Sequence, residues 1–157
     1  MKRFTIIGTV ALALTVPAAA AAQRSEAVFQ CNLRNGKNVS VTAQGDRLTY
    51  RYGSSRRAEL TLTGTPGSRN VFHFSGRYFN ILNQLRFQNG RHSYIVYSLP
   101  GSRTADATGT YGVMVLRDGR RVSDTQCRRE TEFRGGFDLF QRLPQDDERY
   151  NVMTLDG

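Results

Sequence analysis

The sequence predicts an all-β fold, a small antiparallel β-barrel or sandwich closed by one disulfide. Three observations carry this reading. From Ala27 to Cys127 short runs recur in which apolar and polar residues alternate, the period of a strand with one buried face. Asn35-Gly36, Asn89-Gly90 and Asp118-Gly119 each fall between such runs, and these dipeptides accept the positive φ that two-residue hairpin turns demand. The chain has two cysteines, Cys31 and Cys127, so a single pairing exists, and an exported chain would form it as a structural bridge.

Residues 1–22 come first. Lys2 and Arg3 precede an apolar stretch from Phe4 to Val16, then Pro17 and a run of alanines offering Ala-x-Ala sites, the pattern of a secretory signal peptide cleaved near Ala22. The apolar stretch is short for a bilayer span, and no cysteine follows it directly for a lipid anchor. The expected location is periplasmic or secreted, with no transmembrane segment after cleavage. Residues 23–143 read as a single β domain. "NVSVTA" puts Val39 and Val41 on one face, "RLTYRY" puts Leu48, Tyr50 and Tyr52 there, and "AELTL" does so with Leu60 and Leu62. Breaks follow at "GTPGSRN" (64–70) and "LPGSRTADATGT" (99–110), the second small and polar enough to read as a mobile loop. About eight strands over this length suit one sandwich or small barrel. "GGFDLFQRL" (135–143) reads as a short helix or a packed strand, and residues 144–157, after Pro144, as a flexible tail.

The expected inward set is Phe29, Val39, Val41, Leu48, Tyr50, Leu60, Leu62, Phe72, Phe74, Leu85, Phe87, Tyr94, Val96, Val113 and Val115. Alternation does not set the phase at "YIVY", which is apolar on both faces.

Without Lys2 and Arg3 the chain has 20 basic against 13 acidic side chains, a net charge of +7. Residues 23–127 hold 15 basic and 6 acidic groups, and residues 128–157 hold 5 and 7. The basic core favours anionic partners. Lys37 is the one lysine of the mature chain; the arginines suit bidentate contacts to phosphate or carboxylate. Export makes nucleic acid a disfavoured partner and anionic envelope polymers a favoured one, reached through an arginine-rich surface. Basic and aromatic residues do interleave in "YFNILNQLRFQNGRHSYIVYS", but its rings equally suit a core.

The residue pattern nominates no catalytic group, cofactor or metal. The histidines are His73 and His92, too few for a metal without a third ligand that the pattern does not supply. Both cysteines are committed to the bridge, nucleophile and phosphate-loop motifs are missing, and no two acids are marked as a glycosidase pair. The reading is a non-catalytic binding protein.

Cys31, Gly36-Lys37, the Val39-x-Val41 strand, Ser75-Gly76-Arg77-Tyr78, Leu85-Arg86-Phe87 leading to Gly90, and Cys127, all behind a signal peptide, together resemble the periplasmic and membrane-bound inhibitors of c-type lysozyme over residues 27–127. The resemblance implies a small disulfide-closed β-barrel whose two loops enter the lysozyme cleft. Ser75 then matches the serine that meets the catalytic carboxylates, and Tyr78 the aromatic that follows. The second motif departs from the pattern: where the family has Phe-Trp-x-Lys-Gly, this chain has Phe87-Gln88-Asn89-Gly90. Tryptophan and lysine are missing, and Arg77 or Arg91 would have to supply the cation. The binding residues implied are Ser75, Gly76, Arg77, Tyr78, Asn89, Gly90 and Arg91. A cation on a rigid turn would make charge-assisted bonds to the carboxylates, although a basic lysozyme would repel a basic partner at long range. The alternative for Ser75-Gly76 is a turn or bulge that ends a strand. The partners left open are c-type lysozyme, another envelope protein, and anionic envelope polymers.

Overall fold

The computed structural model describes residues 24–135 and 137–155, so the expected signal peptide and the last two residues of the chain lie outside it. Strands β1 (Glu26–Asn32), β2 (Asn38–Gln44), β3 (Arg47–Gly53) and β4 (Ala58–Gly64) form one sheet in that order. Strands β5 (Val71–Arg77), β6 (Ile81–Asn89), β7 (His92–Leu99), β8 (Thr110–Arg117) and β9 (Arg120–Gln126) form the second. Within the two sheets every strand pairing is antiparallel between chain neighbours, as hairpin turns require. At the β8–β9 turn Asp118 and Gly119 both have positive φ, 53° and 78°, the conformation that selects Asp-Gly. Alternation undercounts the strands by one, and β9 shows why. Its sequence Arg-Arg-Val-Ser-Asp-Thr-Gln is exposed along most of its length, so a polar edge strand has no apolar period to detect.

The sheets face each other as a sandwich and do not close into a barrel. Phe29, Val39, Val41, Leu48 and Tyr50 from the first sheet meet Leu85, Phe87, Val96 and Val113 from the second in one buried cluster, with Leu60, Leu62 and Tyr94 partly buried against it. The Cys31–Cys127 disulfide ties the first strand of one sheet to the end of the last strand of the other, with Cα atoms 5.6 Å apart. Backbone bonds flank it: Arg128 N–H donates to Asn32 O at 2.8 Å, and Arg34 N–H to Gln126 O at 2.9 Å. The ambiguous segment at 135–143 contains a helix, α1 (Phe137–Arg142), which buries Leu139 and Phe140 against the same core.

Two expectations are corrected, and they share a cause. Phe74 faces away from the sandwich interior, into a second apolar cluster with Leu82, Ile95, Tyr97, Leu99, Met114 and Leu116. Phe72 points the same way, against the guanidinium of Arg86. The cover on this outer face is the segment expected to be a flexible tail. From Gln145 to Leu155 it lies along the sheet: Val152 is buried in the second cluster with Tyr150 and Leu155 packed on it. The β5 strand also pairs with the tail, since His73 N–H donates to Pro144 O at 3.0 Å and Asp146 N–H to His73 O at 2.8 Å. A sheet covered on both faces needs apolar residues at successive positions, which explains "YIVY".

No helix among the described residues is long and apolar enough to cross a membrane.

Candidate functional site

The β3–β4 connection, Ser54-Ser55-Arg56-Arg57, builds an open basic groove. Its shape starts at Gly53, where a Cβ would sit 2.3 Å from the Arg57 carbonyl oxygen. Only glycine lets the chain fold back this closely. Ser54 Oγ then accepts from the Arg57 N–H at 3.1 Å, fixing the loop as a side-chain-closed turn. The groove between this loop and the outer face of β2 and β3 has a volume of about 320 Å³ and is lined by Asn38, Ser40, Arg51, Ser55, Arg56 and Arg57 among others.

Among the described residues the ion pairs are Lys37–Glu59, Arg86–Asp146, Arg91–Asp118, Arg142–Asp46 and Arg149–Asp147. Arg51, Arg56 and Arg57 take part in none. All three are exposed, so their planar five-donor forks remain available for bidentate contact with an anion. The one carboxylate on β4, Glu59, is taken by Lys37. The sequence signal for this site was the Gly-Ser-Ser-Arg-Arg run. Its role depends on Arg51, which alternation places on the outer face but does not bring to the loop.

The residues singled out by resemblance form no single site. Ser75, Gly76 and Arg77 end β5 opposite Asn83, Leu82 and Ile81, and Tyr78 follows in the β5–β6 turn. Asn89, Gly90 and Arg91 form the turn at the other end of β6, where Asn89 pairs with His92. β6 has nine residues, so the two turns stand roughly 26 Å apart at about 3.3 Å per residue.

Gly76 has a packing reason of its own. A Cβ there would lie 2.8 Å from the Phe74 ring and 3.4 Å from the Tyr78 ring, so the glycine leaves room for both aromatics on one face. Tyr78 OH is bonded by Asn151 of the C-terminal segment. Tyr78, Phe79 and Ile81 are exposed large apolar side chains at this tip. At the opposite end Arg91 donates to both Asp118 carboxylate oxygens at 2.7 and 2.6 Å. That hydrogen bonding holds the Asp118 carboxyl below its usual range and engages the guanidinium that the resemblance needs free.

Arg86, from the Leu-Arg-Phe motif, is buried rather than presented. Its Nε donates to both oxygens of Asp146 at 3.0 and 2.9 Å, and Nη2 donates to Oδ1 at 2.8 Å. The guanidinium lies between the rings of Phe72 and Tyr150, 4.1 and 3.9 Å from their centroids, with Nη1 donating to Gln88 and Ser93. Cation–π contact on both faces and a bidentate carboxylate fix the C-terminal segment to the sheet. Gln84, fully buried, does the same further along: its Nε2 donates to Tyr150 O at 2.9 Å and its Oε1 accepts from Val152 N–H at 3.2 Å.

The two histidines are apart: His73 stacks on Phe140 and His92 on Tyr94. On the outer face Tyr97 OH donates to Asp124 at 2.7 Å and accepts from Gln126. Burial, then the Asp124 hydrogen bond, push its pKa well above the ordinary tyrosine value, so it stays a neutral donor. The groove arginines Arg51, Arg56 and Arg57 stand exposed without an ion-pair partner, as do others on the surface such as Arg117, Arg120 and Arg121 around the β8–β9 turn, but the first three line one groove. No family model, curated protein or solved structure matches this chain, so its function has to be argued from this groove and the faces around it.

Proposed function

We propose that the mature chain is an exported, non-catalytic binding protein of the periplasm or cell exterior that takes anionic polymer on its arginine-rich surface. The observation that carries this is the groove that Arg51, Arg56 and Arg57 all line, none of them in an ion pair. Cations that line one groove without counter-charges repel one another, and a polyanion that bridges them relieves this while releasing its own counterions. Wild-type protein should be retained on a phosphate-rich matrix with steep salt dependence. The R51A/R56A/R57A variant should bind more weakly, with a log–log salt slope smaller by about 2 to 3. Arg91→Ala, at a guanidinium already held by Asp118, should change little. Equal retention and equal slope for the triple variant and wild type would overturn the proposal.

A second reading, inhibition of c-type lysozyme, is favoured by the exposed Ser75 and the aromatic tip at Tyr78 and Phe79. It would rest on the β5–β6 hairpin alone, with Arg77 as its cation, because Arg91 lies at the far end of β6. A cell-wall lysis assay separates the readings: inhibition that Arg77→Ala removes and R51A/R56A/R57A leaves intact supports this one, and no inhibition at micromolar protein removes it.

A further inference from the structure

The groove opens onto the outer face of the β1–β4 sheet, and that face narrows the class of polymer. Strand register places Gln30, Ser40, Arg51 and Thr61 in one row across all four strands. Thr42, Thr49 and Thr63 form the next row, and Asn32 and Asn38 lie on the other side of the first. These residues are exposed or half-buried. Their hydroxyls and amides both donate and accept hydrogen bonds. No aromatic side chain faces outward in these rows, and their one aliphatic group is the methyl of Ala27, which pairs with Thr42. Tyr52, which borders the groove, packs against the interior core, and its hydroxyl is bonded by Asn35.

Each polyanion class makes a different demand on such a surface. Single-stranded nucleic acid needs rings on which bases stack, and a lipid surface needs large apolar side chains to bury; the rows supply no ring and only the methyl of Ala27. Polyphosphate offers only acceptors, so it can use the donor half of each hydroxyl and amide but leaves their acceptor oxygens unmatched. A sugar backbone presents hydroxyls that donate and accept, which is what Thr, Ser, Asn and Gln complement. The four strands span roughly 14 Å at about 4.8 Å per strand, room for several sugar units in line with the groove.

We infer that the ligand is an anionic polysaccharide, lying across β1–β4 with its hydroxyls on the Ser40–Thr61 and Thr42–Thr63 rows and an acidic substituent held by Arg51, Arg56 and Arg57. This rests on the anionic-polymer reading and adds the sugar backbone to it. The anionic substituent is a carboxylate, sulfate or phosphate, and the choice of polymers tells them apart.

Titration calorimetry of the mature protein with polygalacturonate, dextran sulfate, a phosphorylated dextran, polyphosphate and neutral dextran, matched for charge and ionic strength, tests this. At least one of the charged polysaccharides should bind about tenfold tighter than polyphosphate, and neutral dextran weakly. The T49V/T61V/T63V variant, which keeps β-branched side chains and therefore the strands, should lose about five- to tenfold for that polysaccharide and clearly less for polyphosphate. Circular dichroism and thermal melting check that each variant is folded. Unchanged binding of every polyanion by folded R51A/R56A/R57A would overturn the anionic reading and this inference together. Loss of binding in that variant, with polyphosphate as tight as any polysaccharide or with T49V/T61V/T63V unaffected, leaves the anionic reading standing and overturns the sugar inference alone.

Discussion

The imidazole of His73 stacks on Phe140 at 5.2 Å and leaves its Nε2 buried without a hydrogen-bond partner. Burial lowers its pKa below the ordinary 6.5, with a hydrogen bond donated to the Asn83 side chain and the charge of Asp146 opposing. In the folded chain the ring is therefore held neutral, while in the unfolded chain it takes a proton near the ordinary value. Below about pH 6.5 the unfolded state binds more protons. The His73 contribution is thus fully present above that pH and is lost as pH falls through the lowered folded value. Urea denaturation between pH 7.5 and 5 should show stability declining toward acid, and His73→Phe should decline less. An identical pH slope in both proteins would rule His73 out as the source. Gly53 and Gly76 act at the same scale by taking no space: one lets the groove loop return on itself, and the other leaves room for two flanking rings.

At the scale of elements, the unusual feature is that the middle strands of the second sheet, β6 to β8, are buried on both faces while the β1–β4 sheet keeps one face in water. The difference lies in a C-terminal segment that binds through a few strong polar anchors. Arg86 and Asp146 are almost wholly removed from solvent, with 5% and 1% of their side-chain surfaces exposed, so removing one partner would strand the other's charge. Asp146→Asn should destabilise the domain by about 3 to 5 kcal/mol. An R86M/D146L double variant, which removes both charges and keeps apolar volume, should lie much closer to wild type. Chemical denaturation measures both, and a double variant as unstable as Asp146→Asn would show that the pair contributes more than the cancellation of its own desolvation.

The whole molecule is held by a cross-link at one edge of the sandwich and a segment wrapped over one face. The Cys31–Cys127 bridge joins positions 96 residues apart, nearly the full span of the nine strands. Closing a loop of that length restricts the unfolded chain by about 4 to 5 kcal/mol in the chain-entropy model. Reduction, or C31S/C127S, should lower the denaturation midpoint correspondingly. Rapid alkylation of both cysteines in native, unreduced protein would contradict the bridge. Charge is also arranged at this scale. The buried Arg86 and the turn residue Arg91 are neutralised within the fold, so the positive field falls to groups such as Arg51, Arg56 and Arg57 at the polar sheet.

The amino-acid sequence by itself determined the class of fold, the cysteine pairing and the hairpins, because each rests on local chemistry: a two-residue period, a count of two thiols, and Asn-Gly or Asp-Gly at a turn. It also determined the inward face of β1–β4, where Val39, Val41, Leu48 and Tyr50 alternate strictly with polar residues. Only the tertiary structure decided which way Phe72 and Phe74 point, since their strand is apolar on both faces and its phase depends on a cover formed about seventy residues later. The same long-range contact turns residues 145–155 from an acidic, tail-like sequence into part of the domain, because Arg86 bonds Asp146 and Gln84 bonds the backbone at Tyr150 and Val152. The site was legible as residue types and not as geometry. Ser75 and Arg91 are set at opposite ends of a nine-residue strand, whereas Arg51 and the Arg56-Arg57 pair come to line one groove because Gly53 turns the chain back on itself.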